Sequence, residues 1–231
     1  MAKYPPLVIE ESEWLTGIDL SRLLRHVYPT ASDRKLRLFT CTCCAVLRPH
    51  YSDPNVIRAL DLAEQWADGS VARSVLNSAR RAAGWSNATP YVGVSTHAGS
   101  ANVAVHAANL ATWPRRGLES GAGWNALFAS RELGLLPDRN QGWVDEHHAN
   151  LFRDIFGNPF RPVAFDPAWR TSDSTGIAAK MYESREFSAM PILADALEEA
   201  GCDNTDILLH CRMPGTHIRG CWVVDLVLDK N

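Results

Sequence analysis

The chain has 231 residues, of which 46% are hydrophobic and 21% charged, and its formal net charge is −3. This is the composition of an ordinary globular protein, and it excludes global disorder. The charge balance offers no field for nucleic acid or an anionic membrane, and no stretch approaches the ~18 apolar residues of a membrane span, so neither partner is expected.

The first third of the chain shows apolar residues at helical spacing. Residues 12–28 predict one or two short helices, and Ser32 is a hydroxyl cap for a longer one. Pro54 stands at the first position of the next helix, where its missing N–H is harmless, and a fourth helix is predicted from Ser70.

The middle of the chain, residues 84–143, has a different character. Glycine, serine and proline dominate residues 84–100 and 113–123, which predicts long irregular loops. An alanine-rich helix is predicted after Ser100 and a short one over residues 124–133. We interpret this region as a variable, insert-like segment.

The helical pattern returns at Val144 and continues to Phe156, where Gly157 ends it. An ordered, proline-rich connector follows, with Phe160 among the side chains expected to pin it to a core. Further helices are predicted over residues 174–184, 191–200, 205–212 and about 220–228, the last with a strand as the alternative because of its valines.

These elements predict an all-α fold of about ten helices. The length favours a single helical domain over residues 1–231, with a C-terminal block at about 150–230. The first residues contain no apolar core of signal-peptide length, so we expect a cytoplasmic protein whose six cysteines are reduced.

The C-terminal block concentrates side chains that bind metals. Five such residues fall within twenty positions: Cys202, His210, Cys211, His217 and Cys221. Cysteine and histidine are the ligands of zinc, so zinc is the candidate cofactor, in a site that would clip two helices together. The spacing matches no zinc-finger pattern, and the alternative is that these cysteines are buried apolar residues.

The same block offers a second kind of site, for an anion. Arg212, His217 and Arg219 flank a glycine-proline turn before a helix, and arginine matches carboxylate or phosphate geometry. The alternative is that both arginines satisfy helix ends and neighbouring acids.

Two other clusters have weaker patterns. Cys41, Cys43 and Cys44 precede His50, but their apolar neighbours favour core packing over reactivity. An acid–histidine run at residues 145–148 continues to Asp154, two turns after His147, and both could line one groove of a metal-assisted hydrolase. The run lacks the spacing of a zinc protease helix, and the alternative is a solvated helix start.

Eight tryptophans are many for this length. Four of them lie in or beside the middle loops: Trp85, Trp113, Trp124 and Trp143. Exposed aromatic residues on loops are typical of partner contacts, and the alternative is that they cover the helical core.

Several blocks of the chain resemble one family. They are SDRKLRLF-x-C-x-CC, DIFGNPFRPV and HCR-x-PG-x-H-x-RGCWVVDL, within residues 12–70 and 150–230. They are similar to a large paralogous family of planctomycete bacterial proteins with no established activity. The resemblance implies a cytoplasmic protein with a binding or regulatory role, and it transfers no catalytic residues.

Two hypotheses follow. The first is a non-enzymatic intracellular binding or adaptor module, in which the middle segment recognises a protein partner. The alternative is a metal-binding protein or metalloenzyme that uses the cysteines and histidines of the C-terminal block. The sequence contains no nucleotide-binding or hydrolase motif, so it leaves open whether the chain is an enzyme.

Overall fold

A computed structural model describes residues 7–45, 54–82 and 141–230. These residues contain ten α-helices, one short 3-10 helix and no strand, which confirms the all-α prediction. The helices are α1 Glu11–Thr16, α2 Leu20–Val27, α3 Asp33–Ala45, α4 Pro54–Ala67, α5 Arg73–Ala82, α6 Gln141–Phe156, α7 Ser172–Ser184, α8 Met190–Glu199, α9 Thr205–Arg212 and α10 Trp222–Val227. No helix within these ranges is long and apolar enough to cross a membrane.

The chain divides into two compact units, residues 1–149 and residues 150–231, and the boundary falls within α6. The second unit begins where the C-terminal block was placed by its sequence pattern. The single domain expected from chain length stays a prediction. The loops and helices predicted between residues 84 and 140 lie outside the described residues.

The first unit follows its sequence pattern closely. Asp19 caps α2 by accepting hydrogen bonds from the amides of Ser21 and Arg22. The four apolar residues at helical spacing on α2 are all buried: Leu20, Leu23, Leu24 and Val27. Helix α4 packs against both α3 and α5, and a nearly buried ion pair joins Arg34 to Asp68 at 2.8 Å.

The second unit is built around one apolar cluster. Helix α8 packs against α7 and α9, and α10 packs against the same two helices. Asn204 caps α9 by accepting from the Ile207 amide, as its position before the apolar run indicates. The 220–228 segment is a helix from Trp222, so the strand alternative is wrong.

The proline-rich connector is ordered by its own turns and by the core. Asp166 caps the 3-10 helix at Pro167–Trp169, and Phe165 packs edge-on against Trp169. Arg170 donates two hydrogen bonds to the Leu226 carbonyl at the end of α10. Phe160 is exposed, so its predicted pinning role is wrong.

The turn after α6 is tightly packed. Gly157 has a φ of +65°, and a Cβ added there would lie 3.2 Å from the indole ring of Trp222. Glycine therefore permits both the left-handed backbone and the close approach of α10. Helix α6 begins at Gln141, before the start predicted at Val144.

Candidate metal centre

Four side chains of the second unit converge on one point. They are Asp154, His210, His217 and Cys221, and one potential ligand atom from each lies within 4.8 Å of all the others. His217 Nδ1 lies 2.7 Å from Asp154 Oδ1, and His210 Nε2 lies 3.2 Å from that same oxygen. His210 Nε2 is also 3.2 Å from Cys221 Sγ.

Three separate elements supply these residues. Asp154 lies in the last turn of α6, His210 lies in the last turn of α9, and His217 and Cys221 belong to the segment that leads into α10. The capped start of α9 and the glycine end of α6 fix where these last turns fall. The imidazole rings of His210 and His217 meet edge-on, with centroids 4.8 Å apart.

The carboxylate of Asp154 uses its two oxygens differently. Oδ1 faces the two histidines, whereas Oδ2 accepts a hydrogen bond of 3.0 Å from the Ile218 backbone amide. The side chain is 4% exposed. The amide therefore fixes the plane of the carboxylate and leaves Oδ1 directed at the other donors.

Burial dominates the electrostatics of the cluster. Burial raises the pKa of Asp154, but hydrogen bonds from His210 and His217 act in the opposite direction and leave that pKa lowered. Burial also raises the pKa of the Cys221 thiol well above its usual value, and the Asp154 carboxylate raises it further. The cluster thus combines an ionised carboxylate with a protonated thiol.

The structure brings together three of the five metal ligands expected from sequence, His210, His217 and Cys221. Cys202 and Cys211 lie outside this cluster and belong to the apolar core of the second unit. Burial raises the pKa of Cys211 to about 12, so this side chain has the character of a buried apolar thiol.

The fourth member of the cluster, Asp154, was considered from sequence only together with His147 on its own helix, and not with these three residues. Its partners are 56 to 67 positions away, beyond the reach of any local spacing. One signal was present, because Asp154 is three residues after the buried Leu151 and so borders the apolar face of α6. An acid at such a position needs a buried partner.

The residues of the predicted anion site have separate partners. Arg212 contacts Asp195 at 2.9 Å and also Glu198, both on α8. The guanidinium of Arg219 lies 4.5 Å from the ring centroid of Tyr182, whereas His217 belongs to the metal cluster. The anion site stays a prediction.

The tryptophans proposed for partner binding are mostly outside the described residues, which include Trp143 but not Trp85, Trp113 or Trp124. Trp143 is half-buried and stacks on His147, with ring centroids 4.7 Å apart. The partner surface therefore stays a prediction.

The other two clusters are placed in the first unit. Cys41 and Cys43 are buried free thiols, and burial raises the pKa of Cys43 well above its usual value. His50 lies outside the described residues. In the acid–histidine run, His148 is fully buried, and burial lowers its pKa to about 3.

Comparisons with known proteins find no matching family model, no matching curated protein and no matching solved structure. The planctomycete resemblance therefore stays a prediction.

Proposed function

We propose that the second unit is a metal-binding helical module, in which Asp154, His210, His217 and Cys221 hold one ion of the zinc class. The single observation that carries this proposal is the convergence of four donor atoms within 4.8 Å. Asp154 is 56 to 67 positions away from the other three residues in the sequence. Only the tertiary fold brings it next to them.

The donor set favours particular metals. One sulfur and two imidazole nitrogens select Zn²⁺ and related transition metals over Mg²⁺ and Ca²⁺, which require oxygen ligands. Zinc bonds of about 2.0–2.3 Å place the donors of a tetrahedron about 3.3–3.6 Å apart. The two closest pairs in this site, at 2.7 Å and 3.2 Å, are shorter than that spacing, as hydrogen-bonded atoms are, and no pair exceeds 4.8 Å. Binding an ion would therefore move these closest donors apart by a few tenths of an ångström.

The site favours a structural ion over a catalytic one. Four protein donors fill a tetrahedral shell and leave no position for water or substrate. Burial agrees with this interpretation, because the side chains of Asp154 and His217 are 4% and 10% exposed and Cys221 is fully buried. Because Oδ2 of Asp154 already accepts a hydrogen bond from the Ile218 amide, the carboxylate would coordinate the ion through Oδ1 alone.

Cysteine, histidine and aspartate could also form a catalytic triad with the cysteine as nucleophile, but the geometry of this site disfavours that function. A nucleophilic triad needs the acid on the histidine nitrogen that faces away from the thiol. Here Asp154 lies 3.2 Å from His210 Nε2, the same nitrogen that faces Cys221. Burial also keeps this thiol protonated, contrary to what a nucleophile requires.

The adaptor hypothesis stays a second proposal without added support. The middle segment that would provide its specificity lies almost entirely outside the described residues.

The test is cobalt and zinc binding by the full chain. Purified, metal-free protein should bind one equivalent of Co²⁺, with a thiolate-to-cobalt charge-transfer band. Cys221→Ser should remove that band and weaken affinity at least about a hundredfold, since even outer-shell changes cost about 10–100-fold.

Cys211→Ser is the matched control. It makes the same chemical change at another buried thiol of the same core, but outside the cluster. We expect this variant to keep both the band and the affinity. Failure of the wild-type chain to bind either metal, or equal losses in the two variants, would refute the proposal.

A further inference from the structure

The core of the second unit is built from apolar side chains and does not need a bound ion. Its buried apolar cluster contains fifteen residues, Cys221 among them. Units of about 80 residues can bury enough apolar surface to fold without a metal. This differs from zinc fingers, which lack such a core and unfold when the ion is removed.

The segment that carries two of the ligands has a different character. Residues 213–221 connect α9 to α10, and Met213 through Thr216 are exposed. Asp154 holds the middle of this segment, through the Ile218 amide and the His217 ring. Short exposed stretches with few buried contacts have the lowest local stability in a folded unit, and here that stretch is residues 213–216, since Gly220 and Cys221 are buried.

The donor atoms of the site satisfy one another when no ion is bound. Asp154 Oδ1 accepts from both histidines, and His210 Nε2 faces Cys221 Sγ. An ion would replace these pairwise contacts with one centre, while the bond from the Ile218 amide to Oδ2 can remain. Removing the ion therefore leaves no buried ligand without a partner.

Resting on the function proposed above, we infer that the site is metal-responsive: an already folded unit binds the ion reversibly, and the ion orders residues 213–221. The ion is then a ligand of the folded protein and not a requirement for folding. Its effect is local because helices α6, α9 and α10 are already in place.

Hydrogen exchange of the full chain, in chelator and with a slight excess of zinc, tests this inference. Peptides covering residues 213–221 should exchange at least tenfold more slowly with zinc. Peptides from α7 and α8 should change by less than twofold, and the far-UV circular dichroism spectrum should be the same in both conditions.

Matched variants localise the effect. His217→Ala should abolish the protection of residues 213–221 by zinc, whereas Thr216→Ala, a change at the adjacent exposed position, should preserve it. Calorimetric titration of the same samples with zinc separates the two proposals.

The outcomes are distinguishable. If zinc binds but the chelated protein loses its helical signal, or if zinc leaves residues 213–221 unprotected, this inference is wrong and the proposed function stands. If the titration shows no binding, both are wrong.

Discussion

Asp154 supports the second unit even without metal, and its replacement by alanine tests how much. The substitution removes the acceptor of three hydrogen bonds, from His217, His210 and the Ile218 amide. A hydrogen bond to a charged group contributes about 1.5–3 kcal/mol, and a buried amide left without an acceptor costs about 1–3 kcal/mol.

The histidines are partly exposed and can recover some of this loss through water, so the full sum is an upper bound. We therefore expect a loss of about 3–5 kcal/mol, the range for removing one member of a buried charged network. The core amides of α8 should therefore exchange their hydrogens about a hundred to ten thousand times faster than in the wild-type chain.

The assay is hydrogen exchange by mass spectrometry in chelator, which reports on the second unit separately from the first. Asp154→Asn, which keeps the shape and one oxygen, should cost less than Asp154→Ala. A loss below about 1 kcal/mol for Asp154→Ala would show that the carboxylate supports little of the fold, and the reasoning on buried hydrogen bonds would be wrong.

Three other predictions concern the glycine turn, a buried histidine and the ligand thiol. Gly157→Ala should lower the free energy of unfolding in urea by about 2–4 kcal/mol, because the added methyl group strains a left-handed backbone and also contacts Trp222. Gly201→Ala is the control: its φ is +89° but the space around it is open, so this variant should show only the loss from backbone strain. The pKa of about 3 for His148 lies below the unfolded value, so the free energy of unfolding should fall by about 1.4 kcal/mol for each unit by which the pH is lowered from 6 to 4. His148→Gln should flatten this slope in urea titrations, and an unchanged slope would contradict the lowered pKa. Zinc binding at pH 7 should release a proton from Cys221, measured by calorimetry in two buffers, and equal proton release by Cys221→Ser would exclude the thiol as its source.

Helical spacing and caps predicted most of the described fold. The helix predicted before Ser32, the Ser32 cap and the glycine end of α6 all depend on residues within one or two turns, and each prediction is confirmed. Boundaries were less accurate: α5 begins at Arg73 and not at Ser70, and α6 begins three residues early.

The candidate site could be predicted only in part. Cysteine and histidine are conspicuous when they are close in sequence, so His210, His217 and Cys221 were identified together with Cys202 and Cys211. Distinguishing ligands from core thiols requires the direction of each side chain, which depends on how α8, α9 and α10 pack. Asp154 reaches the site only through tertiary structure.

The placement of the ligands in the last turns of α6 and α9 has an electrostatic consequence. Aligned peptide dipoles leave the carboxyl end of a helix with about half a negative charge. The carboxyl ends of α6 and α9 carry Asp154 and His210, while α10 begins at Cys221 with the opposite partial charge. Two negative helix ends against one positive end leave the backbone with a net attraction for a cation at this site. Neutralising the carboxylate would weaken that field without removing it.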